Sequence, residues 1–171
     1  IMKRSLVLSC GAVMSVLSFY ACSSSDDSMV TPLTRSDAVS EKIVFQDDFN
    51  QTDSIPDKTK WGLCKKGSPA WSKYLSESYD QAYVHDGKLV LIAEKVNGVY
   101  KTGGVQSLGK AEFQYGKIEI CARFTKTAKG GWPAIWMMPA KPVYSGWPAC
   151  GEIEIMEQLN QNGIVYQTTV S

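Results

Sequence analysis

The chain of 171 residues carries 18 basic and 17 acidic side chains, a formal net charge of +1, with 44% hydrophobic and 20% charged residues. This is the composition of a globular chain of one domain, without the polar bias of disorder. So balanced a charge gives no basic field for a nucleic acid, and no nucleic-acid partner is expected.

Residues 1–21 open with Lys3 and Arg4, continue through an apolar stretch from Leu6 to Tyr20, and place the small Ala21 before Cys22. That order reads as an export signal. Ser9, Ser15 and Ser18 interrupt the stretch, which falls short of the roughly 20 apolar residues that span a bilayer. Ala21-Cys22 before a Ser/Asp run resembles a bacterial lipoprotein cleavage site. The resemblance implies a lipid on Cys22, a membrane partner through that anchor, and an exported, outer-membrane-anchored protein on the periplasmic or cell-surface side. Cleavage there leaves 16 basic against 17 acidic side chains. Residues 22–41, rich in Ser and Asp with no apolar period, read as a flexible tether. The folded part is expected over residues 42–171.

Cys64, Cys121 and Cys150 remain after processing. One disulfide with a free thiol and no disulfide at all are both open. With no CxxC pair and His85 as the single histidine, no metal site is expected. His85 precedes Asp86-Gly87, a hairpin signal, and reads as a surface turn residue. The segments "KIVFQDDF", "QAYVHDGKLVLIAEK", "GGVQSLGKAEF", "YGKIEICARF", "WPAIWMMP", "GEIEIMEQ" and "GIVYQTTV" are rich in Val, Ile, Tyr and Phe and bounded by turn residues. They predict strands, with no amphipathic helix and no repeat, and hence an all-β sandwich. Within the second segment, Lys88 to Glu94 set Leu89 and Leu91 on one face and Val90 and Ile92 on the other, and the stretch reads as buried on both.

"GEIEIMEQ" sets three carboxylates among Ile and Met. In a regular strand Glu152 and Glu154 share one face while Ile153, Ile155 and Glu157 take the other. One bulge between Glu154 and Glu157 returns Glu157 to the face of the other two and leaves Ile153 and Ile155 as core anchors. Crowded carboxylates separate in pKa, so that one stays ionised while another holds a proton. A nucleophile and a general acid flanking a glycosidic bond need that division. An acidic edge strand explains the same residues, and both readings stand at this point.

Upstream, "GGWPAIWMMP" puts Trp132, Ala134 and Trp136 on one strand face, two indoles with a small residue between them. Indole faces suit the C–H face of a sugar ring; burial in a sandwich core is the competing reading. Trp61, Trp71 and Trp147 are read as ordinary core.

Taken in order, "VFQDDFNQ", "AYVHDGKLVLIAEK", "YGKIEICARF", "GGWPAIWMMP" and "GWPACGEIEIMEQ" resemble glycoside hydrolase family 16, particularly its laminarinase-like members, from about residue 43 onward. The resemblance implies a jelly-roll sandwich of two antiparallel sheets, concanavalin A-like, whose C-terminal part is missing here, so that residues 42–171 are the N-terminal part of the catalytic domain. It implies a polysaccharide partner and endo-acting hydrolysis of β-1,3- or mixed β-1,3/1,4-glucan, with retention through a covalent glycosyl-enzyme. Carried over, Glu152 is the nucleophile, Glu157 the general acid/base, and Glu154 the carboxylate that tunes the nucleophile, while Asn50, Trp132 and Trp136 line sugar subsites. No cofactor is required; a structural calcium is implied only for the complete domain.

Two departures from the family pattern bear on activity. Glu154 stands where the family has Asp, and an extra methylene moves a carboxyl by about 1 Å where such a shift can cost about a hundredfold in rate. A cleft histidine expected one strand later is absent from "IVYQTTVS". A catalytically lapsed, glycan-binding surface lipoprotein of the same fold is therefore the alternative. A half sandwich leaves open edges and an uncovered apolar face, so this stretch alone is expected to aggregate or stay partly unfolded.

Overall fold

The computed structural model describes residues 4–7, 42–52, 54–125 and 128–171. The described residues 4–7 and 47–171 belong to one compact unit and 42–46 to another. In the latter the described residues 42–46 carry no strand or helix. Cys22 and the tether up to residue 41 lie outside the described residues. Among the described residues every regular element is a strand, as expected, and no helix is long and apolar enough to cross a membrane.

The strands are β1 (Arg4–Val7), β2 (Gly62–Leu63), β3 (Ala82–Val84), β4 (Leu89–Val96), β5 (Val99–Thr102), β6 (Val105–Gln106), β7 (Arg123–Phe124), β8 (Ala134–Met137), β9 (Glu152–Glu157) and β10 (Tyr166–Val170). One sheet runs β3-β4-β1-β7 with β5 also on β4, a second runs β10-β9-β8, and β2 pairs with β6. All ladders between these strands are antiparallel. Strand β1, inside the segment read as an export signal, pairs Leu6 with both Leu91 and Phe124 and so bridges β4 and β7.

β4 is the hub of the first sheet. Asp86-Gly87 (φ 50° and 65°) and Asn97-Gly98 (φ 50° and 83°) turn the chain into and out of it. Both central residues of each turn sit in the left-handed region that a type I′ hairpin demands. β3 and β5 then share one edge of β4, and their ends meet closely: a Cβ at Gly103 would lie 1.8 Å from the Gln81 carbonyl oxygen. Leu89, Val90 and Ile92 are buried, so this strand is covered on both faces. Phe49, Val84 and Leu89 form a core cluster against which Trp61, Leu91 and Val105 pack. Trp61 stacks on Phe49 at 6.2 Å and donates its indole N–H to Asp47 Oδ2 at 2.7 Å.

Several expectations need correction. Residues 42–49 form no strand, and of "YGKIEICARF" only Arg123–Phe124 is in a ladder. Strand propensity counts for little where no ladder forms. Ile153 is 49% exposed rather than a core anchor, and Ile155 is only half-buried, because no described element covers that face of β9. Trp71 and Trp147 are likewise exposed, at 49% and 64%. His85 sits at the surface turn as expected, with Nε2 3.3 Å from Asp86 Oδ2. The three described cysteines are free, and burial pushes the Cys64 thiol up to about 11.

Candidate active site

The site is built on β9. Before it, Cys150 N–H donates to the Gly146 carbonyl at 2.9 Å and Gly151 N–H to that of Pro148 at 2.9 Å, a tight turn that ends in Gly151 with φ 86°. On one side, β8 sets Ala134 opposite Glu157, Ile135 opposite Met156, and Trp136 opposite Glu154, passing over Ile155. On the other, β10 sets Tyr166 opposite Glu157, Thr168 opposite Glu154 and Val170 opposite Glu152. Both neighbours thus register one extra residue in β9 at the place where the carboxylate pattern requires it.

Directly opposed residues share a sheet face, and Ala134 and Trp136, two apart on β8, share theirs. Glu154 and Glu157 therefore stand on one face with Glu152, beside Trp136 and Thr168. Gln167, the β10 residue opposite the bulge, donates its side-chain amide to the Ile155 carbonyl at 3.1 Å. It satisfies a group that the interrupted ladder leaves open. Sequence reasoning missed Gln167, and a lone Gln in a strand carries no signal for such a role.

The indole of Trp132 donates to Glu157 Oε1. The loop that carries it is tied to the chain after β9: Gln158 N–H donates to the Pro133 carbonyl at 3.0 Å, Asn160 N–H to that of Gly131 at 2.8 Å, and Gly130 N–H to Asn160 Oδ1 at 2.7 Å. Trp136 meets Trp71 edge to face, with centroids 5.2 Å apart and planes at 74°. Trp132, Trp136 and the three glutamates are thus brought together. Asn50 is placed elsewhere: it lines a cleft with Asp47, Asp48, Gln51 and Asp57, and its Oδ1 is 3.0 Å from where a Cβ at Gly87 would sit.

Glu154 is raised from the usual carboxylate value to about 7, first by burial, then by its hydrogen bond with Glu152, then by the charges of Glu157 and Glu152. Its Oε2 is buried with no hydrogen-bond partner among the described residues. A protonated carboxyl tolerates such a place far better than an anion does. Below about pH 7 a protonated Glu154 donating to Glu152 lets two other carboxylates share the face without three charges in a row. Among the described residues no group of three His, Cys, Asp or Glu side chains is placed to hold a metal ion.

No protein-family profile matches the chain. It is similar to the keratan-sulfate endo-1,4-beta-galactosidase of Sphingobacterium multivorum, at 41% identity over 133 residues, 74% of this chain and 31% of that protein. It is also similar to the beta-glucanase of Rhodothermus marinus, at 33% over 139 residues, 75% of this chain and 48% of that one. Among solved structures, a gut-microbial endo-acting O-glycanase that initiates mucin breakdown superposes with a TM-score of 0.64 at 37% identity, covering 76% of this chain and 54% of that one. The laminarinase from Rhodothermus marinus superposes at 0.62 with 28% identity, covering 76% and 55%. A non-specific endo-beta-1,3(4)-glucanase from family GH16 does so at 0.60 with 29% identity, covering 76% and 55%. The chain thus spans a third to a half of these curated relatives' length.

Proposed function

The chain belongs to glycoside hydrolase family 16, whose jelly-roll sandwich its antiparallel sheets build in part, and on that premise we propose that the protein is an endo-acting hydrolase of β-linked polysaccharide. The observation that carries this reading is the bulged β9, which aligns Glu152, Glu154 and Glu157 on one face beside Trp132 and Trp136.

In this reading Glu152 attacks the anomeric carbon while Glu157 protonates the departing glycosidic oxygen, giving a covalent glycosyl-enzyme. Water then attacks the same carbon and displaces the Glu152 carboxylate while Glu157 takes its proton, and the product keeps the starting configuration. Glu154 holds Glu152 in place by donating to it. Trp132 orients Glu157 through its indole N–H, and the faces of Trp132 and Trp136 receive the sugar rings. Asn50 contributes a sugar contact once substrate spans the cleft it lines.

The substrate is β-1,3- or mixed-linkage β-glucan, as for the glucanase relatives. β-Galactosidic glycan is the second reading, and the 41% identity to the keratan-sulfate endo-galactosidase favours it. A non-catalytic glycan binder is the third, and the 40% identity over 53 residues to the beta-1,3-glucan-binding protein of Penaeus monodon favours that. The test is release of reducing ends from laminarin, mixed-linkage glucan and keratan sulfate by the complete protein, beside a Glu152→Gln variant. Cleavage of one polymer, lost in the variant, supports the reading and names the substrate. Binding without cleavage leaves a glycan-binding protein, and neither binding nor cleavage refutes both. We further propose export with a lipid anchor on Cys22, which palmitate labelling of parent and Cys22→Ala cells checks.

A further inference from the structure

The loop that carries Trp71 is tightly held, while its indole is left half in solvent. Ser72, the next residue, is 1% exposed, and Leu75 is buried. Ser72 and Lys73 N–H groups donate to the Pro69 carbonyl at 3.1 and 3.0 Å, and Gly67 N–H donates to that of Ser72 at 3.3 Å. Ser76 N–H donates to the Thr102 carbonyl at 3.1 Å, and Thr102 N–H returns to Tyr74 at 2.8 Å, which fastens the loop to β5. Glu77 closes it from the other end, accepting from Lys65 Nζ and Lys66 N–H at 2.9 Å each. A loop fixed this firmly loses little further freedom on binding a ligand.

An indole held rigid and 49% exposed gains little for the fold, since the surface it leaves wet is apolar. What it touches is Trp136, opposite Glu154, with planes at 74°. Two indoles at that angle make a corner. A pyranose ring lying on one plane brings its rim against the other, so the corner grips a ring that either indole alone would let slide.

We propose that Trp71 is a third sugar-binding residue, which with Trp136 forms a corner for one β-linked pyranose unit of the polymer beside the carboxylate row. The inference rests on the glycosidase reading and adds to it a residue on a loop outside the β8–β9 motifs. Trp71 takes no part in bond breaking; it holds the chain.

The test is calorimetric binding of β-glucan and β-galactan oligosaccharides to the complete protein in a Glu152→Gln background, so that ligand is not consumed. Trp71→Ala, Trp136→Ala, the double variant and Trp71→Phe are compared. An aromatic contact of this kind predicts affinity roughly two- to tenfold weaker in Trp71→Ala. A similar further loss is expected when Trp71→Ala is added to Trp136→Ala, and partial recovery in Trp71→Phe, which keeps a ring at the corner. Unchanged affinity in both single Trp71 variants overturns the proposal. So does the absence of any added loss in the double variant, since Trp71 would then merely prop Trp136. Both of those outcomes leave the glycosidase reading intact. A Glu152→Gln protein that binds neither oligosaccharide class, with a parent that cleaves neither polymer, refutes the glycosidase reading and this inference together.

Discussion

Replacing Glu154 by Gln keeps the length of the side chain and a donor toward Glu152 while removing a titrating group from the carboxylate row. In the parent, burial and the neighbouring carboxylates raise Glu154 from 4.5 to about 7. A carboxyl held above its unfolded value adds stability that is fully present below about 4.5 and is lost as pH rises through about 7. Taken at face value, the rise is worth at most about 3 kcal/mol, and solvent screening at this partly exposed site reduces it to about 1 kcal/mol. Urea unfolding of the complete protein at closely spaced pH values between 4 and 9 reads this directly. The parent should lose about 1 kcal/mol relative to Glu154→Gln as pH rises from about 4.5 to about 7, with the steepest change midway between those values and a level difference above about pH 8. Superimposable curves for the two proteins would refute the argument that Glu154 is held neutral. A parent that gains stability relative to the variant over that interval would reverse its sign.

Glu157→Gln removes the proposed proton donor but keeps a carbonyl for the Trp132 indole, so turnover should fall by roughly 10²- to 10⁴-fold while glycan affinity holds; joint loss of both would point to collapse of the site. Gly103→Ala puts a methyl 1.8 Å from the Gln81 carbonyl where β3 and β5 meet. Overpacking against backbone there should destabilise by about 3 kcal/mol or more, read by urea unfolding; a shift under about 0.5 kcal/mol would mean the junction yields. Gln167→Ala frees the Ile155 carbonyl and should destabilise by about 1 kcal/mol, with a loss of activity larger than that of Thr169→Ala, a change on the same strand away from the bulge.

The carboxylate row was legible because one odd residue in an alternating pattern has few physical remedies, and a bulge is the simplest. Glu157 out of phase with Glu152 and Glu154 could be read as a kink in the ladder before any coordinate, and both β8 and β10 register it. The Asp86-Gly87 turn was legible for a similar reason, since few residue pairs accept two left-handed conformations. Asn97-Gly98 carries the same signal and passed unread, so β5 was missed. What failed depends on partners far along the chain. Whether residues 42–49 join a ladder, whether Ile153 is covered, and whether Trp71 sits in a core or at a cleft are settled by neighbours that local sequence does not name.

Two tight turns on either side of β4 also bear on the order in which the chain acquires structure. The pairs Val84–Leu89 and Val96–Val99 close over five and three residues, so the two β4 hairpins ask for little loop-closure entropy. β8 and β9 instead must meet across the segment between Met137 and Glu152. These hairpins should therefore protect their amides first during refolding, with the carboxylate row assembling onto a platform already made. Pulse-labelling hydrogen exchange would show this as early protection at Leu91 and Ala93 and late protection at Glu154; the reverse order would place the nucleus in the catalytic sheet.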